Sequence, residues 1–177
     1  MHTQATALET HELLWNNYFT LVGEVDREAI SREQLDVLEK LGTTTRELDL
    51  MEWLARQGYF ISTWALWEYY ARGFCKRLAL KVDQEDKEST VRWIERWLAK
   101  NGVEFREADW FSGANNIRNL IVHSGLRVWD RRSRSQFRRA KDVLPDLLLT
   151  KDDYVLLDHE HVCLLYDRSK DFLERTS

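Results

Sequence analysis

Seven glycines and a single proline in 177 residues leave this chain few places to turn sharply. A sandwich, barrel or repeat of short strands needs a turn signal about every 8–12 residues. Such folds are therefore excluded, as are Gly- or Pro-rich linker proteins, and a few long elements are expected instead. Charged residues at 32% beside apolar residues at 44% suit helices with one face in water. The length is close to the ~150 residues of one domain, which predicts a single domain over residues 1–177. A chain of this size can bury roughly 70% of its unfolded surface without cross-links.

The apolar pattern is helical almost throughout. Thr6-Ala7-Leu8-Glu9 has capping-box spacing, and Leu14, Trp15, Tyr18, Phe19, Val22 and Val25 follow as one stripe. Ser31-Arg32-Glu33-Gln34 is a second box, ahead of a short helix with Leu35, Leu38 and Leu41 that stops near Gly42. A long helical pattern runs from about Thr45 to Leu80, with Gly58 as a place for a bend or break. Its rings Trp64, Trp67, Tyr69 and Tyr70 have the spacing of core residues rather than of a base-stacking surface. Ser89 or Thr90 caps the next helix, with Val91, Ile94, Trp97 and Leu98 inward and Asn101-Gly102 at its end. A further helix is expected over Ala108 to Ser124, closed by Gly125. Leu147-Leu148-Leu149 and Tyr154-Val155-Leu156-Leu157 flank Lys151-Asp152-Asp153, which allows a small β-hairpin before a last helix capped by Asp158. No repeat, low-complexity run or domain boundary interrupts this series. The expected fold is an all-α, up-and-down bundle of five or six helices.

Composition narrows the function as well. Cys75 and Cys163 cannot build a disulfide scaffold or, alone, a zinc site, and they fit a reducing cytosol. The longest stretch without charge, Gln57 to Trp67, is far short of the ~18–20 residues that cross a bilayer. The first twelve residues lack the basic and apolar regions of a secretion signal, so a cytoplasmic, membrane-free protein is expected. No Gly-rich phosphate loop and no Gly-x-Ser-x-Gly elbow is present. His11-Glu12 lacks the second histidine of a zincin. His159-Glu160-His161-x-Cys163 is a weak metal candidate, because on a helix only His159 and Cys163 share a face. Neither a metal nor another cofactor is therefore expected.

The net charge of −4 hides an uneven distribution. Residues 127–141 carry Arg127, Arg131, Arg132, Arg134, Arg138, Arg139 and Lys141 against Asp130 alone, whereas residues 1–60 and 142–177 are both acidic. A basic island in an acidic chain suits a polyanion partner, or else a solvated loop or helix face that pairs with the acidic ends.

The stretch that carries chemistry is Ser112-Gly113-Ala114-Asn115-Asn116-Ile117-Arg118-Asn119-Leu120-Ile121-Val122-His123-Ser124-Gly125. On a helix Asn115, Asn119 and His123 share one face, with Ser112 and Asn116 close to it, while Ala114, Ile117 and Ile121 line a core side. A polar stripe on an otherwise apolar helix must meet water, a partner or a site. Arg118 is long enough to bend toward that stripe. A guanidinium beside an imidazole suits a phosphate ester: the first binds its oxygens, and the second takes or gives a proton near neutral pH. The plainer alternative is a histidine capping its own helix and an arginine in a surface ion pair.

Arg118-Asn119-Leu120-Ile121-Val122-His123, ending in His-Ser-Gly, resembles the Arg–polar–x3–His motif of the HEPN superfamily, the higher eukaryotes and prokaryotes nucleotide-binding domains. Trp64-Ala65-Leu66-Trp67-Glu68 resembles that family's aromatic and acidic second helix, and Leu156 to Val162 is similar to the start of its closing helix. The resemblance covers about residues 45–175; residues 1–44 match less clearly. It implies a bundle that pairs into a homodimer or pseudo-dimer, with two Arg–His motifs meeting in one cleft. It further implies a metal-independent endoribonuclease of a toxin–antitoxin or phage-defence system, with an antitoxin or defence partner. Arg118, Asn119 and His123 carry over as catalytic residues, and all three are intact. Ser112, Asn115, Arg127, Arg131, Arg132, Arg134, Arg138 and Arg139 are then expected to hold RNA, with Trp129 or Phe137 stacking on a base. The family also contains inactive members, which implies the alternative of a scaffold that binds a nucleotide or a protein.

Overall fold

A computed structural model describes residues 4–23 and 45–176. Among them are six helices and one two-stranded antiparallel sheet: α1 (Gln4–Gly23), α2 (Thr45–Arg77), α3 (Thr90–Lys100), α4 (Ala108–Ser124), α5 (Arg131–Lys141), β1 (Leu148–Leu149), β2 (Val155–Leu156) and α6 (His159–Arg175). The fold is thus an all-α bundle with a small hairpin before the last helix. The short helix expected over Ser31 to Gly42 lies outside the described residues. Helix α1 starts at Gln4, so Thr6 stands inside it rather than at its cap.

The helix ends obey local chemistry. Ser89 caps α3, its hydroxyl accepting the Arg92 amide at 3.3 Å. Asn101 closes the same helix and straps it to the segment that follows α2. Its side chain donates to the Leu80 carbonyl at 2.8 Å and accepts the Leu80 amide at 2.9 Å. Asp158 forms a capping box with His161 at the start of α6. Gly58 neither breaks nor ends α2, which continues for 33 residues. The ~1 kcal/mol that glycine costs a helix is small beside the burial of Phe60, Trp64 and Trp67 just beyond it.

Helix α2 is the central post, packed against α1, α3, α4 and α6. Trp67 and Phe111 stack at 4.1 Å with an interplanar angle of 12°; Phe105 lies stacked on the Trp67 ring and tilted to Phe111, and Phe172 meets them edge-on. Trp64 and Trp67 are core residues, as their spacing predicts. Tyr69 is not: it is 63% exposed, and with half-buried Tyr70 it lines a shallow surface groove beside Lys76 and Arg77. In a 33-residue helix the buried stripe is bounded by whichever helices pack on it, and among the described residues none covers the Tyr69 side.

A second aromatic cluster joins α1 to α2 and α6. Trp15 stacks on Tyr166 at 4.4 Å and Tyr18 on Tyr59 at 4.3 Å. His11 sits at its edge, 1% exposed, with its ring 4.6 Å from Tyr166. Burial, helped by the nearby Lys170 ammonium, lowers its pKa from 6.5 to about 4. The folded protein therefore keeps this imidazole neutral where the unfolded chain would protonate it. Stability from this group is intact above pH 6.5 and falls as the pH drops toward 4, by about 3 kcal/mol in all. Urea unfolding at pH 7 and pH 4 should show wild type losing about that much more stability than His11→Leu; equal losses would show that His11 carries no such linkage.

Candidate active site

Helix α4 presents two opposed faces. Ala114, Ile117, Leu120 and Ile121 are buried against the core. Ser112, Asn115, Asn116 and Asn119 are half-buried on the other side, and His123 is exposed at the far end. The Asn116 amide donates back to the Ser112 carbonyl one turn earlier, at 2.8 Å. The polar stripe read from the residue spacing is therefore real, and it faces outward.

Arg118 leaves the helix about 100° around from Asn119, yet its Nη1 donates to Asn119 Oδ1 at 3.0 Å. That bond draws the guanidinium toward the stripe. His123 lies one turn beyond Asn119, about 6 Å along the axis. Among the described residues His123 has no hydrogen bond or ion pair within the chain, so it is not consumed as a cap of its own helix. Asn119 and His123 thus share the polar face, with the Arg118 guanidinium tied to it through Asn119.

The segment after α4 holds that end in place. Gly125 turns left-handed at φ +55°, and its amide returns to the Ile121 carbonyl at 3.1 Å. Leu126 is also left-handed, at φ +65°, a conformation that costs a residue with a side chain roughly 1–2 kcal/mol. Its side chain is fully buried, which offsets the strain. Residues 126–128 then lie against the hairpin: Val155 donates to the Leu126 carbonyl at 2.9 Å and Val128 to the Asp153 carbonyl at 2.8 Å.

The basic island is a helix, not a loop. Asp130 caps α5 through a box with Ser133, and Ser133 and Ala140 are its buried positions. Arg131, Arg132, Arg134, Arg138, Arg139 and Lys141 are exposed, and among the described residues none of them forms an ion pair with the acidic parts of the chain. Arg127 lies over the Tyr154 ring at 5.8 Å. Trp129 is 64% exposed, whereas Phe137 is half-buried and packs on the core. Of the two rings expected to stack on a base, only Trp129 is available.

Of the residues expected to hold RNA, Ser112, Asn115 and Arg139 come together on a groove of about 570 Å³ between α3, α4 and α5. Arg131, Arg132, Arg134 and Arg138 do not line it, and neither do Arg118, Asn119 and His123. Arg92, Asp109 and Asp142 are among its other lining residues. None of these three carried a sequence signal, because they meet only through helix packing. Arg92 bridges Glu95 at 2.6 Å and Asp109 at 2.8 Å, and these bonds raise its pKa. The Ser112 hydroxyl is buried without a hydrogen-bond partner among the described residues.

At the start of α6, Cys163 Sγ and His159 Nε2 lie 3.2 Å apart while His161 serves the cap. No group of three or more potential metal ligands occurs among the described residues.

Comparison of the chain with family models, curated proteins and solved structures finds no match.

The groove depends on a close approach. A Cβ at Gly113 would fall 1.9 Å from Val143 Cγ2, so only glycine lets α4 and the end of α5 pack this tightly. Gly73, by contrast, has open space around its would-be Cβ. Gly113→Ala should destabilise the protein by about 1–3 kcal/mol, whereas Gly73→Ala should stabilise it by up to ~1 kcal/mol. Chemical denaturation of the two variants beside wild type checks the pair, and equal behaviour would refute the close packing.

Proposed function

We propose that this chain is a metal-independent endoribonuclease of the HEPN type, acting as a homodimer in a toxin or phage-defence setting. The observation that carries the reading is the Arg118–Asn119 bond. It sets a guanidinium on the face where an unpaired histidine stands one turn away. The six exposed cations of α5, none of them in an ion pair among the described residues, give the same region an affinity for phosphates.

The chemistry starts with the ribose 2′-hydroxyl. Its oxygen forms a bond to the adjacent phosphorus while the bond from phosphorus to the 5′-oxygen breaks. One imidazole accepts the proton from the 2′-hydroxyl, and a second donates a proton to the leaving 5′-oxygen. Each transfer contributes about 10²–10⁴ in rate. His123 can fill one role per protomer, so a two-fold pairing supplies both. Arg118 holds the charge that builds on the phosphoryl oxygens. Asn119 spends its Oδ1 on Arg118 and so acts chiefly as a positioning residue, with its amide nitrogen left for the phosphate.

Exposed apolar residues at this end support the pairing. Val122, Trp129, Leu148, Leu149 and Leu156 all lie uncovered on the last turn of α4, the segment after it and the hairpin tied to that segment. A second copy that covers them would bring two His123 side chains toward one cleft. An antitoxin or defence partner would act by blocking that cleft or by holding the protomers apart.

Incubation of the purified protein with RNA in EDTA should give cleavage that His123→Ala lowers by at least about 10²-fold. A metal requirement, or full activity in that variant, would overturn the reading. RNA affinity should fall steeply between ~50 and ~200 mM salt, and Arg131→Glu combined with Arg138→Glu should flatten that slope. Binding indifferent to salt would remove α5 from the RNA surface. RNA binding without cleavage would instead assign the chain to the binding-module class.

A further inference from the structure

The groove between α3, α4 and α5 is chemically more specific than a phosphate track. Arg92, one of its two arginines, is already committed to Glu95 and Asp109. Left for a ligand are Arg139, Asp142, the Ser112 hydroxyl and the Asn115 amide, none of which has a side-chain partner among the described residues. Arg139 and Asp142 stand three positions apart on one lip, at the end of α5. The groove's volume of about 570 Å³ is in the range of small-molecule sites and has room for one nucleotide.

We propose that this groove binds a guanine nucleotide, with Arg139 and Asp142 reading the base. A guanidinium makes a bidentate pair with the O6 and N7 acceptors of guanine. A carboxylate accepts from the adjacent N1–H and N2–H donors. Guanine is the base that offers an acceptor pair and a donor pair on neighbouring edges. Adenine turns its N6 donor toward the arginine, and the pyrimidines have no N7. Ser112 and Asn115 offer hydroxyl and amide groups for the ribose and phosphate. Asn115 lies about 12 Å along the helix from His123, so the pocket would hold a nucleotide flanking the cleaved bond rather than the bond itself. The placement rests on the reading that the chain handles RNA, but the pocket is testable with free nucleotides.

The test is calorimetric titration of the intact chain with GMP, AMP, CMP and UMP in turn. GMP should bind saturably and about tenfold tighter than the other three, as a good base pairing implies. Asp142→Asn should bring GMP close to AMP, and Arg139→Gln should weaken GMP about tenfold. Both side chains are exposed, so the folded state should persist, and circular dichroism verifies it. Equal affinity for all four nucleotides, no saturation in the millimolar range, or GMP binding unchanged in both variants would overturn the proposal. Guanine-selective binding by a chain that cuts no RNA would keep the pocket and remove the nuclease reading. RNA cleavage without guanine-selective binding would do the reverse.

Discussion

The stack of Trp67 on Phe111 sets the rotation of α4, and everything on α4 inherits that rotation. Both rings are fully buried and nearly parallel. Removing one such ring from a core costs about 3–5 kcal/mol, a large part of a total stability of roughly 5–15 kcal/mol. With Phe111 so held, Ala114, Ile117 and Ile121 turn inward and the Asn115, Asn119, His123 stripe turns out. A rotation of one residue's worth, about 100°, would bury polar side chains of that stripe without partners and expose the isoleucines. The polar stripe is thus as much a product of the core as of its own residues.

Electrostatics then divides the molecule. Elsewhere several cations are engaged: Arg72 with Glu68, Arg96 with Glu85 and Glu88, Arg175 with Glu107. Such exposed pairs add little stability, about 0–1 kcal/mol each, but they cancel local charge. Among the described residues the arginines of α5 form no such ion pairs, and they sit beside α4, against which that helix packs. In a chain with a net charge of −4, this is where a polyanion meets least repulsion.

Much of this was legible in the residue order because it is local. Ser89, Gly125 and Asp158 mark helix ends through bonds that span three or four residues, and the helix over Ala108 to Ser124 has the bounds that spacing predicts. The stripe and its core side also come from period alone. The rest depends on contacts between distant segments. Helix α5 has only Phe137 and Ala140 as apolar residues, too few to stand out as a stripe, and the box of Asp130 with Ser133 at its start is obscured by the dense arginines. The left-handed Leu126 is stabilised by pairing with Val155 in the hairpin, far along the chain. Tyr69 faces outward because no helix among the described residues covers it, and His11 faces inward because α6 does. The groove exists only because Gly113 admits Val143, a contact between α4 and the end of α5.

A guanidinium steered by a neighbouring amide, and a lone imidazole one turn on, make sense together if the substrate supplies its own nucleophile. That claim leaves a chemical signature in the products. Mass spectrometry of RNA fragments made in the absence of divalent metal should find 2′,3′-cyclic phosphate on one side of each cut and a 5′-hydroxyl on the other. A single 2′-deoxy sugar at the cleaved position should abolish that cut. Fragments carrying 5′-phosphate, or cleavage that survives the 2′-deoxy substitution, would contradict the account.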